Sequence, residues 1–181
     1  MEFVEQYIKG VWVIQPKRFG DARGYFSETF KLEEFRAHVG NVNFVQDNES
    51  FSSFGVLRGL HFQKGEFSQA KLVRVSRGRV LDVAVDLRGS SPTFGKHVAV
   101  ELTAENGNQL FIPRGFAHGF VVLSDEAQFQ YKVDNVYAPQ SEATLQFNDP
   151  HLGIDWRIPH EKMLLSEKDK LGLPLADIKP F

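Results

Sequence analysis

Arg58-Gly-Leu-His-Phe-Gln63 places an arginine and a histidine inside what otherwise reads as a buried apolar strand. Strands of that kind avoid titratable side chains, because a charge taken out of water must be paired or given up. Taken alone, His61 reads as a hydrogen-bonded core residue, the commoner fate of a lone histidine on an apolar run. Gly59 complicates that reading. Arg58 and His61 lie three positions apart, so a regular strand would point them to opposite faces. A glycine between them suits a bulge, which would turn both side chains toward one cavity.

Outward from this stretch the chain reads as strand after strand. Residues 44–49, 56–62, 71–75, 79–86, 97–103, 109–113, 119–123, 127–133 and 142–147 carry β-prone runs. Turn chemistry at Gly65, Arg77-Gly78, Arg88-Gly-Ser-Ser-Pro92, Glu105-Asn-Gly107 and Ser124-Asp125 separates nearly all of them. Two earlier runs, 11–14 and 25–30, read as strands joined by the loop Gly20-Asp-Ala-Arg-Gly24. Helical spacing appears at 32–38, and Ser166-Glu-Lys-Asp169 has the form of a capped helical turn closed by Gly172 and Pro174. Regular turns without βα alternation predict an all-β sandwich or barrel with a few short peripheral helices. The 17 Phe beside four Tyr and two Trp suit pleated, half-buried surfaces or a ring-lined pocket.

Composition excludes several partners. A formal charge of −2 over 181 residues gives no basic excess for nucleic acid or an anionic membrane surface. No apolar run approaches the roughly 18 to 20 residues that span a bilayer, and no basic-then-apolar leader follows Met1. With no cysteine there is no disulfide framework and no thiolate, which fits a reducing compartment, so a cytoplasmic location is expected.

Three polar features sit in or beside apolar strands: Arg58 with His61, Lys71 at the head of Lys-Leu-Val-Arg-Val, and Tyr131 in Gln-Phe-Gln-Tyr-Lys-Val. A strand-end lysine can keep its ammonium in water, and a core tyrosine with a satisfied hydroxyl is common. Together the three suggest chemistry. A fourth stretch, Pro113-Arg-Gly-Phe-Ala-His118-Gly-Phe, matches the second half of the cupin signature, whose histidine is usually a metal ligand. Gly55 to His61 supplies the start of the first half, but Gln63 stands where that pattern has its second histidine. A neutral amide is a poor ligand for zinc or iron, so no metal is expected. Around Gly20 and Gly24, Arg18, Asp21, Arg23 and Glu28 form a charged loop, and arginine can grip a phosphate bidentately. No P-loop or dinucleotide-binding glycine motif is present.

Arg23-Gly-Tyr-Phe-Ser-Glu28, Gln46-Asp-Asn48, Arg58-Gly-Leu-His-Phe-Gln63, Lys71-Leu-Val-Arg-Val, Pro113 to Phe120, Tyr131-Lys132 with Tyr137, and Leu165-Ser-Glu-Lys-Asp169 together resemble the dTDP-4-dehydrorhamnose 3,5-epimerase family, in order over nearly the whole chain. The resemblance implies a metal-free, cofactor-free cupin-type jelly roll. It implies one domain over 1–181, with N-terminal strands 1–30 at a homodimer interface and a C-terminal extension over 150–181. The implied substrate is dTDP-4-dehydro-6-deoxy-D-glucose. By the same resemblance His61 is the base, Asp169 supports it, Tyr131 is the acid on the opposite face and Lys71 stabilises the enolate. Substrate contacts would fall to Arg23, Glu28, Gln46, Asn48, Arg58, His118, Glu142 and Lys168, with Tyr137 stacking on the thymine. Asp134 and Val136 stand where the family commonly has Thr and Tyr, and Lys168 where arginine is frequent. Alternatives are epimerisation at one carbon only, a related ketoisomerase, a metal-dependent cupin oxygenase, and a non-catalytic sugar-binding jelly roll.

Overall fold

Val80, Leu81, Val83, Ala84 and Val85 are all fully buried, so this strand must be covered on both faces. The computed structural model, which describes residues 1–181, supplies both covers. In chain order the elements are β1 (Glu2–Glu5), β2 (Trp12–Gln15), β3 (Arg18–Asp21), β4 (Gly24–Ser27), α1 (Leu32–His38), β5 (Gln46–Ser53), β6 (Leu57–Gln63), β7 (Lys71–Arg77), β8 (Arg79–Asp86), β9 (His97–Thr103), β10 (Gln109–Ile112), β11 (Phe116–Val122), β12 (Glu126–Val133), β13 (Glu142–Thr144) and α2 (Glu167–Lys170). A six-stranded sheet runs β1-β2-β10-β7-β12-β5 and a five-stranded sheet β13-β6-β11-β8-β9, while β3 and β4 form a separate hairpin. All strand pairs are antiparallel.

The two sheets close on a core that takes Val73, Val75, Leu110 and Phe129 from the larger sheet and Val80, Ala84, Phe116 and Phe120 from the smaller. Alternation sends Leu81, Val83 and Val85 to the outer face of the smaller sheet, where they meet Leu145, Phe147, Leu152, Trp156 and Ile178 from the C-terminal part of the chain. On the outer face of the larger sheet, α1 buries Phe35 against Ile14, Leu72 and Phe111. A single such phenylalanine contributes about 2 kcal/mol by apolar burial. No helix is long and apolar enough to cross a membrane.

Most expected strands agree with the structure to within a few residues. Residues 11–14 and 25–30, expected as two strands joined by a loop, do not pair with each other. Residues 12–15 instead pair with β1 and β10, and 24–27 with β3. Both unforeseen partners are four residues long, β1 being bounded by Glu2 and Glu5 and β3 interrupted by Gly20, too short and polar to announce themselves.

Candidate active site

The glycine inside the opening stretch does mark an irregularity. His118 pairs with His61 and Phe120 with Arg58, so the register slips between them, opposite Gly59 and Gly119. Leu57 and Leu60, three apart, therefore both join the outer core layer. Arg58 and His61, also three apart, share the opposite side, where Arg58 Nε donates to Ser52 Oγ of β5 at 3.1 Å. The slip depends on close backbone approach: a Cβ on Gly59 would lie 2.5 Å from Gly119 Cα, and its φ of +130° is unfavourable for other residues.

His61 then meets a carboxylate from the far end of the sequence. Its Nε2 donates to Asp169 Oδ1 at 2.6 Å. The same oxygen accepts Gly59 N–H at 3.1 Å, and Oδ2 accepts Ser166 Oγ at 2.6 Å and Ser166 N–H at 3.3 Å. Ser166 Oγ accepts Asp169 N–H in return, closing a capping box on α2. One buried carboxylate thus caps a helix, ties down the bulge and orients an imidazole. Burial raises the Asp169 pKa, but the bonds from His61, Ser166 and Gly59 outweigh it and hold it at about 2.

His61 lines a cleft of about 240 Å³ with Gln46, Asn48, Lys71, Tyr131, Tyr137 and Glu142. Burial pulls Lys71 down to about 8; Asp82 and Glu142 pull it up and Lys168 pushes it down. Neither carboxylate is spent on Lys71: Asp82 pairs with His118, and Glu142 with Lys168. Burial raises the Tyr131 pKa, so its phenol is protonated at neutral pH, and Arg58 partly offsets the rise. Tyr137 OH donates to Glu142 Oε2 at 2.9 Å, and Gln46 Nε2 to Asn48 Oδ1 at 2.8 Å. Burial also raises the Glu142 pKa, yet its bonds with Lys168 and Tyr137 bring it below the ordinary value.

His118 lies behind this cleft. Its Nε2–H is shared between the two oxygens of Asp82, at 3.0 and 2.9 Å, and burial lowers its pKa against the pull of Asp82. Asp82 is fully buried and escaped the sequence reading. It sits at the parity of Val80 and Ala84, where β8 faces the interior. Arg23 and Glu28 do not line the cleft; Arg23 stands at the exposed tip of the β3–β4 hairpin, paired with Asp21. Asp134 accepts Ala70 N–H at 2.7 Å and Arg114 Nε at 2.8 Å, fixing the start of β7 beside Lys71.

A larger depression of about 370 Å³ crosses β5, β7 and β12. Its charges are already matched across the strands, Lys132 with Asp47 and Gln130 with Glu49 and Arg74. Such pairs stabilise a sheet face and leave little for a ligand. The two histidines of the broken cupin pattern each commit Nε2 to a carboxylate, and no group of three His, Asp or Glu side chains could hold a metal ion.

A sequence model of the dTDP-4-dehydrorhamnose 3,5-epimerase family matches residues 5–177. The chain belongs to that family. A dTDP-4-dehydrorhamnose 3,5-epimerase of Shigella flexneri is 50% identical over 182 residues, covering 100% of this chain and 99% of the relative. The epimerase of Elizabethkingia anophelis NUHP1 has a crystal structure that superposes with a TM-score of 0.94 at 53% identity, covering 98% of this chain and 97% of that one. The dTDP-6-deoxy-D-glucose-3,5-epimerase of Legionella pneumophila Philadelphia 1, solved in complex with dTDP-4-keto-L-rhamnose, also gives a TM-score of 0.94, at 46% identity and covering 98% and 94%. These near-complete superpositions establish the cupin-type jelly roll for a family member whose cleft residues are those described above.

Proposed function

We propose that this protein inverts C3 and C5 of dTDP-4-dehydro-6-deoxy-D-glucose to give dTDP-4-dehydro-L-rhamnose. The observation that carries the reading is the 2.6 Å bond from His61 Nε2 to Asp169, made beside Lys71 and Tyr131 in one cleft. Both carbons flank the C4 ketone, so removing either proton leaves an enolate with its charge on O4. With Nε2–H held by Asp169, the lone pair of His61 is at Nδ1, available to take that proton, and the carboxylate stabilises the imidazolium that results. The Lys71 ammonium answers the charge on O4; a preorganised cation in a half-buried cleft counts for more than one in water. Tyr131, kept protonated by burial, returns a proton from the opposite face and completes the inversion.

The same reading assigns Arg58, Gln46, Asn48, Glu142, Lys168 and His118 to substrate contacts and Tyr137 to stacking on the base. It takes the chain as one domain acting as a homodimer, with residues 1–30 at the interface. Support comes from β5, an eight-residue open edge of the larger sheet, and from the β3–β4 hairpin, which exposes Phe19, Tyr25 and Phe26. A partner's hairpin would bring Arg23 and Glu28 to a cleft that they do not reach within one chain. A nucleotide-sugar substrate and a cysteine-free chain favour the cytoplasm. Incubation with the substrate in D2O tests the function. Deuterium at both C3 and C5 of an L-rhamno product is expected; label at one carbon would make this a single-centre epimerase, and none would remove the activity.

A further inference from the structure

Gln63 stands where a metal-binding cupin has a histidine, and its carboxamide has a different task. It is 5% exposed. Nε2 donates to Phe67 C=O at 2.7 Å and to Val136 C=O at 3.0 Å, and Oε1 accepts Ala138 N–H at 2.7 Å. The Val136 carbonyl belongs to the peptide plane before Tyr137, and the Ala138 N–H to the plane after it. One side chain therefore holds both planes that meet at the Tyr137 Cα, which fixes its φ and ψ and the direction of its side chain.

This demand selects a carboxamide. Two carbonyls require an NH2 group and an amide N–H requires an acceptor, so the orientation of Gln63 is set by its partners. Glutamate offers no donor when ionised, and a neutral histidine offers only one. Tyr137 needs such support, because it is 55% exposed and stands in the loop between β12 and β13, ahead of the single 3-10 turn at Pro139–Ser141.

We infer that Gln63 is a positioning residue for the nucleotide: by preorganising Tyr137 it sets affinity for the dTDP moiety, while proton transfer at the sugar proceeds without it. The inference rests on Tyr137 being the platform for the base. An ordered side chain binds without first giving up rotational freedom, so loosening it weakens binding and leaves turnover at saturation alone.

The test compares Gln63→Met, Gln63→Glu, Tyr137→Ala and Gln63→Met with Tyr137→Ala, reading the Kd for dTDP by calorimetry and kcat and KM for the dTDP-sugar. Either Gln63 variant is expected to weaken dTDP about tenfold and raise KM comparably, with kcat within about twofold of the wild type. The double variant should bind dTDP no more weakly than Tyr137→Ala alone. An unchanged Kd in the Gln63 variants, or penalties that multiply in the double, would overturn the inference. An unchanged Kd in Tyr137→Ala would instead remove the platform on which it rests, while the D2O result stands or falls separately. A measurement on the wild type covers the case in which the variants do not fold: Ala138 N–H should already be protected from hydrogen exchange before dTDP is added, and rapid exchange there overturns preorganisation.

Discussion

Two imidazole–carboxylate pairs face each other across the β6–β11 strand pair, His61 with Asp169 and His118 with Asp82. Each uses Nε2 as donor. They differ in access: the His61 side chain is 27% exposed and that of His118 8%. They also differ in origin, since Asp169 arrives on a capped helix 108 residues away and Asp82 belongs to the middle of an adjacent strand. A dyad becomes a proton-transfer device where one nitrogen meets substrate. Nearly enclosed between the sheets, the same pair of groups fixes the imidazole of His118 in place and biases its neighbours through the Asp82 charge.

After loss of His61 itself, the largest effect should come from Tyr131→Phe, which removes the acid opposite His61 and leaves the base. Product formation is expected to fall about 10²-fold while solvent deuterium still enters the recovered substrate, read by NMR in D2O. Parallel loss of both would remove Tyr131 from its role. Asp169→Asn comes next, with kcat expected to drop some tens of fold, because the amide no longer fixes the imidazole or its charge.

That variant has a signature in stability as well. The Asp169 pKa lies at about 2, below the ordinary 3.8, so its contribution is present above pH 4 and is lost as pH falls toward 2. The shift corresponds to about 2 kcal/mol. Urea unfolding should therefore show the wild type more stable than Asp169→Asn at pH 6 and a narrowed gap at pH 2.5. Asp86, also held at about 2 by Arg88, Ser91 and Thr93, titrates in both proteins and cancels in the difference.

The smallest effect belongs to the sealed pair. Asp82→Asn should cost tenfold or less in kcat but move the pH profile. Asp82, Glu142 and Lys168 are the charges facing Lys71, which lies at about 8, and Asp82 holds it up. Without that carboxylate the ammonium loses its proton at lower pH, so the alkaline limb of kcat/KM should shift downward. A limb that stays in place would leave Asp82 a purely structural partner of His118.

How much of this was legible in the sequence follows from distance along the chain. Strands 79–86 and 97–103 and the helix 32–38 coincide with the structure because the β-prone runs, turn residues and helical spacing that mark them are local. The bulge at Gly59 was legible as well, since the Arg58 to His61 spacing conflicts with period two. Asp169 could be tied to His61 only through family resemblance, because no local pattern links residues 108 apart. Asp82 was hidden by its own strand: in a run buried on both faces, alternation no longer separates inside from outside. Gln63 was read as a break in a metal pattern, but its hold on 136 and 138 depends on a loop whose path the sequence does not specify.

The division of labour between the two pairs is tested most directly by solvent exchange in His61→Asn and His118→Asn, each folded as judged by circular dichroism and saturated with the dTDP-sugar in D2O. We expect His61→Asn to lose deuterium incorporation at C3 and C5 by about 10³-fold and His118→Asn to retain readily measurable incorporation at both carbons. Incorporation that survives in His61→Asn, or that falls equally in the two variants, would contradict the assignment of proton transfer to the His61–Asp169 pair.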